Sequence, residues 1–168
     1  MFGRENVVFA SLHQFPLYPG TGGESRGNCL NVPLPAGTNG DDYLRAFVPA
    51  LERVLASKPD VLAVSAGFDA YKEDPIAGLK LERATFKRIG ALLAQTKLPR
   101  FAVLEGGYSE DLPKLDESFL SLINEAVQEV VDEHMGGVVA FAALVEQPVP
   151  TVSRRLRRAD DGKGTRME

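Results

Sequence analysis

The chain has 168 residues, the size of one ordinary domain, and is 44% hydrophobic and 25% charged, a globular composition that excludes the disordered, collagen-like and coiled-coil classes. Its 19 basic and 23 acidic residues leave a net charge of −4, which speaks against a nucleic-acid partner, and its one cysteine, Cys29, excludes an internal disulfide framework and a cysteine-cluster zinc site. No apolar run reaches membrane-spanning length and the N-terminus lacks a basic-then-apolar leader, so the expectation is a soluble, cytoplasmic protein with no membrane partner.

Three apolar, β-branched runs, each ending in glycine or a polar loop, mark strands at residues 7–12, 61–65 and 101–104. None alternates polar with apolar, the pattern of strands covered on both faces in a parallel sheet. Before the second strand, Tyr43, Leu44, Phe47, Val48, Leu51, Val54 and Leu55 form a stripe at helical spacing. Asp41 or Asp42 is the expected cap and Pro59 the expected stop, while Pro49 inside the stripe predicts a kink. Between the second and third strands, Phe86, Ile89, Leu92 and Leu93 mark a second helix. Strand, helix, strand, helix, strand is α/β grammar, which assigns function to the loops at the C-terminal ends of the strands.

Further along, Phe119, Leu120, Ile123, Val127, Val130 and Val131 predict a third helix over residues 116–135, stopped by Gly136-Gly137. Residues 138–145 are apolar but too short to assign between strand and helix. The domain is expected to span 1–147, with 148–168 a solvated basic tail around Arg154-Arg155-Leu156-Arg157-Arg158.

The second strand runs into Ala66-Gly67-Phe68-Asp69-Ala70. A carboxylate there suits metal ligation or general-base work, and equally an ordinary loop cap. The third runs into Glu105-Gly106-Gly107-Tyr108. Two glycines let the backbone approach a ligand or take positive φ, and the tyrosine hydroxyl can meet a developing oxyanion; a turn with a packed tyrosine has the same signature. The first strand leads through Ser11-Leu12-His13 to Tyr18-Pro19-Gly20-Thr21-Gly22-Gly23. A phosphate-binding loop would need a Lys-Ser/Thr pair and a following helix, and this stretch has neither. His13, one of two histidines, reads as a hydrogen-bonded core residue.

In order, Ser11-Leu12-His13 with Tyr18-Pro19-Gly20-Thr21-Gly22, then Asn31-Val32-Pro33-Leu34, then Ser65-Ala66-Gly67-Phe68-Asp69-Ala70 with Asp74-Pro75, then Leu104-Glu105-Gly106-Gly107-Tyr108 form four spaced blocks. Over roughly residues 5–115 these resemble the C-terminal half of the zinc-dependent deacetylase family, which includes the histone deacetylases and acetylpolyamine amidohydrolases, and are nearest its class II and bacterial branch. The resemblance implies an arginase/deacetylase-type α/β fold, a parallel sheet with helices on both faces, with the N-terminal half missing here. It implies amide hydrolysis of acetyl-lysine or acetylated amines at zinc, with a structural potassium ion. Asp69 matches a zinc-binding aspartate and Tyr108 the tyrosine that meets the substrate carbonyl. Gly106 and Gly107 match glycines along the acyl-lysine channel, Tyr18 its aromatic wall and Ile76 its floor. Ser11 and Leu12 match residues whose oxygens help hold potassium.

The family also uses an Asp-x-His pair, for the other two zinc ligands, and a His-His pair for proton transfer, both upstream of the strand that begins here at Val7. This sequence has no His-His pair. Asp132-Glu133-His134 has the Asp-x-His spacing, but residues two apart on a helix point about 200° away from each other and do not converge on one metal. The expectation is a truncated deacetylase, inactive alone, whose first strand presents an uncovered edge where the missing half would pair. The alternative is a non-catalytic half-domain that dimerises or pairs with a separate N-terminal half. A third reading is a small α/β nucleotide binder using the Tyr18–Gly23 loop.

Overall fold

The computed structural model describes residues 1–112 and the backbone of 139–143. Strands β1 (Val7–Gln14), β2 (Cys29–Leu34), β3 (Val61–Ala66), β4 (Arg100–Leu104) and β5 (Val139–Ala143) form one parallel sheet in the order β2-β1-β5-β3-β4. Helix α1 (Gly40–Leu55) carries the chain from β2 to β3, and α2 (Arg83–Gln95) from β3 to β4. Both crossovers run in the same direction across the sheet, so right-handed connections put both helices on the same face. The core agrees with this. Leu12, Val64 and Ala66 share one cluster with Phe47 and Leu51 of α1 and Phe86, Ile89 and Leu93 of α2. These strand residues are all even-numbered and in register, so they point to one side of the pleat. The helices meet closely at their N-termini, where a Cβ on Gly40 would collide with the Thr85 side chain.

The cap of α1 is Asn39, two or three residues earlier than the two aspartates suggest. Its side chain accepts the N–H groups of Asp41 and Asp42, both at 3.0 Å, and the aspartates occupy the first turn, where negative charge complements the helix dipole. The helix runs continuously through Pro49, which lies on its exposed side, where water can serve the Arg45 carbonyl left without a proton donor. Val48, in the sequence-derived stripe, is exposed beside it.

Three features of the sheet differ from expectation. Residues 29–34 form a strand although Asn31 and Pro33 interrupt the apolar pattern; β2 is an edge strand, where proline is tolerated. The first strand is not an uncovered edge, because β1 pairs with β2 on one side and β5 on the other. β4 is not covered on both faces: Phe101 and Val103, on the side away from the helices, are exposed. Residues 139–143, ambiguous in the sequence, are a strand. Among the described residues no helix is long and apolar enough to cross a membrane. The third helix, the Asp132-Glu133-His134 triplet and the tail from 148 lie outside the described residues.

Candidate functional site

Because the strands are parallel, the loops after β1, β3 and β4 leave the sheet at the same edge, and they carry Tyr18, Asp69 and Tyr108. β3 and β4 end side by side, with Ala66 in register with Leu104. Beyond that pair the two chains stay tied. Glu105 N–H donates to the Ala66 carbonyl at 2.9 Å and Phe68 N–H to the Gly106 carbonyl at 2.8 Å. Ser65 Oγ donates to Glu105 Oε1 at 2.7 Å.

This pairing lays the Gly106-Gly107 backbone over Asp69, which is 3% exposed. A Cβ on Gly106 would stand 3.0 Å from Asp69 Oδ2. Gly107 has φ +131°, and a Cβ there would meet Phe68 Cβ and Leu112 Cδ1, each at 3.0 Å. Gly106 is thus crowded by a neighbour, while Gly107 is favoured by its conformation as well as by its neighbours. Tyr108 follows with its side chain 44% exposed. Partial burial first, then the negative charges of Asp69 and Asp74, raise its hydroxyl pKa above the ordinary tyrosine value, so the hydroxyl keeps its proton at neutral pH.

Asp74 stands with Pro75 in the third sequence block, and the resemblance implies no role for it. It is buried, and its carboxylate accepts three backbone N–H groups: Ile76 at 2.9 Å and Ala77 at 3.1 Å on Oδ1, and Tyr108 at 2.8 Å on Oδ2. The first two make an Asx-type turn, the local signal that an aspartate before Pro-x-x offers. The third joins loops 34 residues apart and has no local signal. On the far side of the Tyr108 loop, Asp111 accepts from the Tyr71 hydroxyl at 3.2 Å and pairs with Arg83 of α2.

The remaining sequence-derived residues are distributed around this core. Tyr18 is 57% exposed on the loop after β1, and Ile76 is 47% exposed on the turn that Asp74 holds. Ser11 donates its hydroxyl to His13 and Leu12 has its side chain in the core, so both would meet a potassium ion only through oxygen lone pairs. His13 is buried. Its Nδ1 lies 2.9 Å from Ser11 Oγ and its Nε2 3.1 Å from the Gly22 carbonyl. A carbonyl only accepts, so Nε2 carries the proton and Nδ1 accepts from the serine. Desolvation lowers the His13 pKa, against the opposing effect of hydrogen bonds to Gly22 and Ser11. With both nitrogens engaged, His13 is a structural residue that pins the Tyr18–Gly23 loop.

Among the described residues no group of three or more His, Cys, Asp or Glu side chains is placed to hold a metal ion. A zinc centre takes three or four protein ligands, and Asp69 supplies one carboxylate, so these residues do not by themselves make such a centre. A cavity of about 410 Å³ lined by Val8, Asn28, Cys29, Arg53 and Ser57 among others opens toward the N-terminal ends of β1 and β2. Its lining has no carboxylate or imidazole and does not include Asp69 or Tyr108.

The family profile described as the histone deacetylase domain matches residues 2–126. The chain is 37% identical over 175 residues to histone deacetylase 14, chloroplastic, of Arabidopsis thaliana, covering 92% of this chain and 38% of that protein. It is 34% identical over 118 residues to acetylpolyamine amidohydrolase 1 of Pseudomonas aeruginosa, covering 64% of this chain and 34% of that one. Among solved structures, the acetylpolyamine aminohydrolase from Burkholderia pseudomallei matches with a TM-score of 0.65 at 29% identity, covering 71% of this chain and 38% of its own. The chain spans about a quarter to a half of the length of the curated relatives it matches. Its fold is of the arginase/deacetylase type, and the chain belongs to the histone deacetylase domain family.

Proposed function

We propose that this chain forms one wall of a zinc-dependent site that hydrolyses the amide of acetyl-lysine or of an acetylated small amine, and that it is inactive alone. The observation that supports this most is the seating of the buried Asp69 carboxylate against Gly106, two residues before Tyr108, at the C-terminal ends of adjacent parallel strands. In this reading Asp69 is one zinc ligand, and the Tyr108 hydroxyl donates a hydrogen bond to the substrate carbonyl as it gains negative charge. The Gly106-Gly107 backbone runs alongside an extended acyl-lysine stem, and Tyr18 and Ile76 line its path. Zinc in a complete site lowers the pKa of bound water and polarises the amide.

Inactivity follows from the ligand count. The chain has two histidines, His13 and His134, which are not adjacent, and His13 is already committed to Ser11 and Gly22. In this reading two zinc ligands and the proton-transferring pair come from residues outside these 168. A cytoplasmic setting belongs to the same proposal, on composition alone.

The test is metal analysis of the purified chain with a fluorogenic acetyl-lysine assay on the same sample. The expected result is no stoichiometric zinc and no turnover. Bound zinc, with turnover lost in Asp69→Asn and Tyr108→Phe, would overturn inactivity while supporting the site. Turnover that survives both substitutions would overturn the site as well.

A further inference from the structure

We infer that Asp74 is the positioning residue of this site, a buried carboxylate that fixes the Tyr108 backbone relative to Asp69 by bridging the loops after β3 and β4. The inference rests on the reading of Tyr108 as the group that meets the substrate carbonyl.

The argument begins from the loop's weakness. Tyr108 follows two glycines, and glycine backbones have the widest conformational freedom to lose on folding. The strand hydrogen bonding of β4 ends at Leu104, and the last backbone tie to the β3 loop is the Gly106 carbonyl. Tyr108 therefore needs its own anchor. Its N–H donates at 2.8 Å to Asp74 Oδ2, while the other oxygen of the same carboxylate takes Ile76 N–H and Ala77 N–H. Both oxygens are in use on different loops, so the carboxylate works as a rigid clamp. The Asx turn fixes where Asp74 points, and Asp74 fixes where the Tyr108 backbone sits.

The same turn carries Ile76, so one carboxylate sets both an exposed apolar side chain and the tyrosine on the same rim. Hydrogen-bond donors act in catalysis only when held near the position of the developing charge, so losing such an anchor impairs the tyrosine without touching its hydroxyl.

The test uses the full chain carrying Asp74→Ala and, separately, Asp74→Asn. Asparagine keeps the shape and one acceptor oxygen, so it retains one of the two loop ties. Amide hydrogen exchange is followed at Tyr108, Ala77, Leu62 and Ile89, together with the ring signal of 3-fluorotyrosine at position 108, assigned with Tyr108→Phe. The expected result for Asp74→Ala is at least tenfold faster exchange at Tyr108 and Ala77, unchanged exchange at Leu62 and Ile89, and a shifted ring signal. Asp74→Asn should restore protection in part and carries the comparison if the alanine variant does not fold. Unchanged exchange at Tyr108 in the folded variants, or acceleration equal at all four amides, would overturn the assignment. Neither readout uses zinc or turnover, so failure of the anchor is distinguishable from failure of the proposed hydrolysis.

Discussion

His13 Nε2 stands 3.1 Å from the Gly22 carbonyl, and a Cβ on Gly22, whose φ is +86°, would fall 2.7 Å from the same nitrogen. Histidine and glycine are thus fitted to each other, and the fit requires the neutral ring, since the buried imidazole has a lowered pKa. In the unfolded chain His13 takes a proton near 6.5, the ordinary histidine value, while in the folded chain it resists. Below that pH the unfolded state binds more protons, so stability is full above about 6.5 and declines as pH falls toward the folded pKa. The midpoint of urea unfolding should therefore drop between pH 7.5 and 5, and the drop should be smaller in His13→Gln. Gly22→Ala should cost about 2–3 kcal/mol at neutral pH, from the strained φ and the displaced ring together.

The two glycines before Tyr108 should respond unequally. Gly106→Ala pushes on the Asp69 carboxylate at 3.0 Å but has no positive φ to violate, and should cost about 1–2 kcal/mol. Gly107→Ala meets the Cβ of Phe68 and forces a side chain onto φ +131°, and should cost on the order of 3 kcal/mol. Equilibrium urea unfolding of both variants decides the order.

Asn39 and Asp41 can be separated in the same way. Asn39→Ala orphans the N–H groups of Asp41 and Asp42 and should lower stability by about 1 kcal/mol. Asp41→Ala removes only a dipole contact and an exposed ion pair with Arg88, and should cost about half of that or less. Thermal unfolding midpoints test this, and an equal loss in both would return the cap to the aspartate.

β5 is bonded on both sides, pairing Ala140 with Val8 and with Leu62. A proline at that position removes a ladder donor in the middle of the sheet and leaves a carbonyl unserved, at a cost of about 1–3 kcal/mol before packing losses. Ala140→Pro should lower the unfolding midpoint well below that of the unmodified chain, which already carries Pro33 on edge strand β2. No change in midpoint would show that the central pairing contributes nothing to stability.

Several elements were legible because their signals are local. Apolar runs bounded by glycine mark β1, β3 and β4, and the stripes through Phe47 and Phe86 mark α1 and α2, where burial follows the 3.6-residue period. The candidate site was legible at Asp69, Gly106, Gly107 and Tyr108 because short motifs at strand ends carry it. β2 was not, since Asn31 and Pro33 break the pattern that an edge strand does not need. Val48 was misplaced because it sits at the rim of its stripe, where the neighbouring surface decides burial.

The amino-acid sequence by itself determined the α/β class, the two described helices, three of the five described strands and the residues brought to one rim, because each depends on neighbours within a turn or a short loop. Only the tertiary structure decided that residues 139–143 enter the middle of the sheet between β1 and β3, and that Asp74 reaches across 34 residues to hold Tyr108. Strand order and a carboxylate's distant partner are set by which surfaces remain to be paired once the chain has folded back on itself, and no local pattern carries that information.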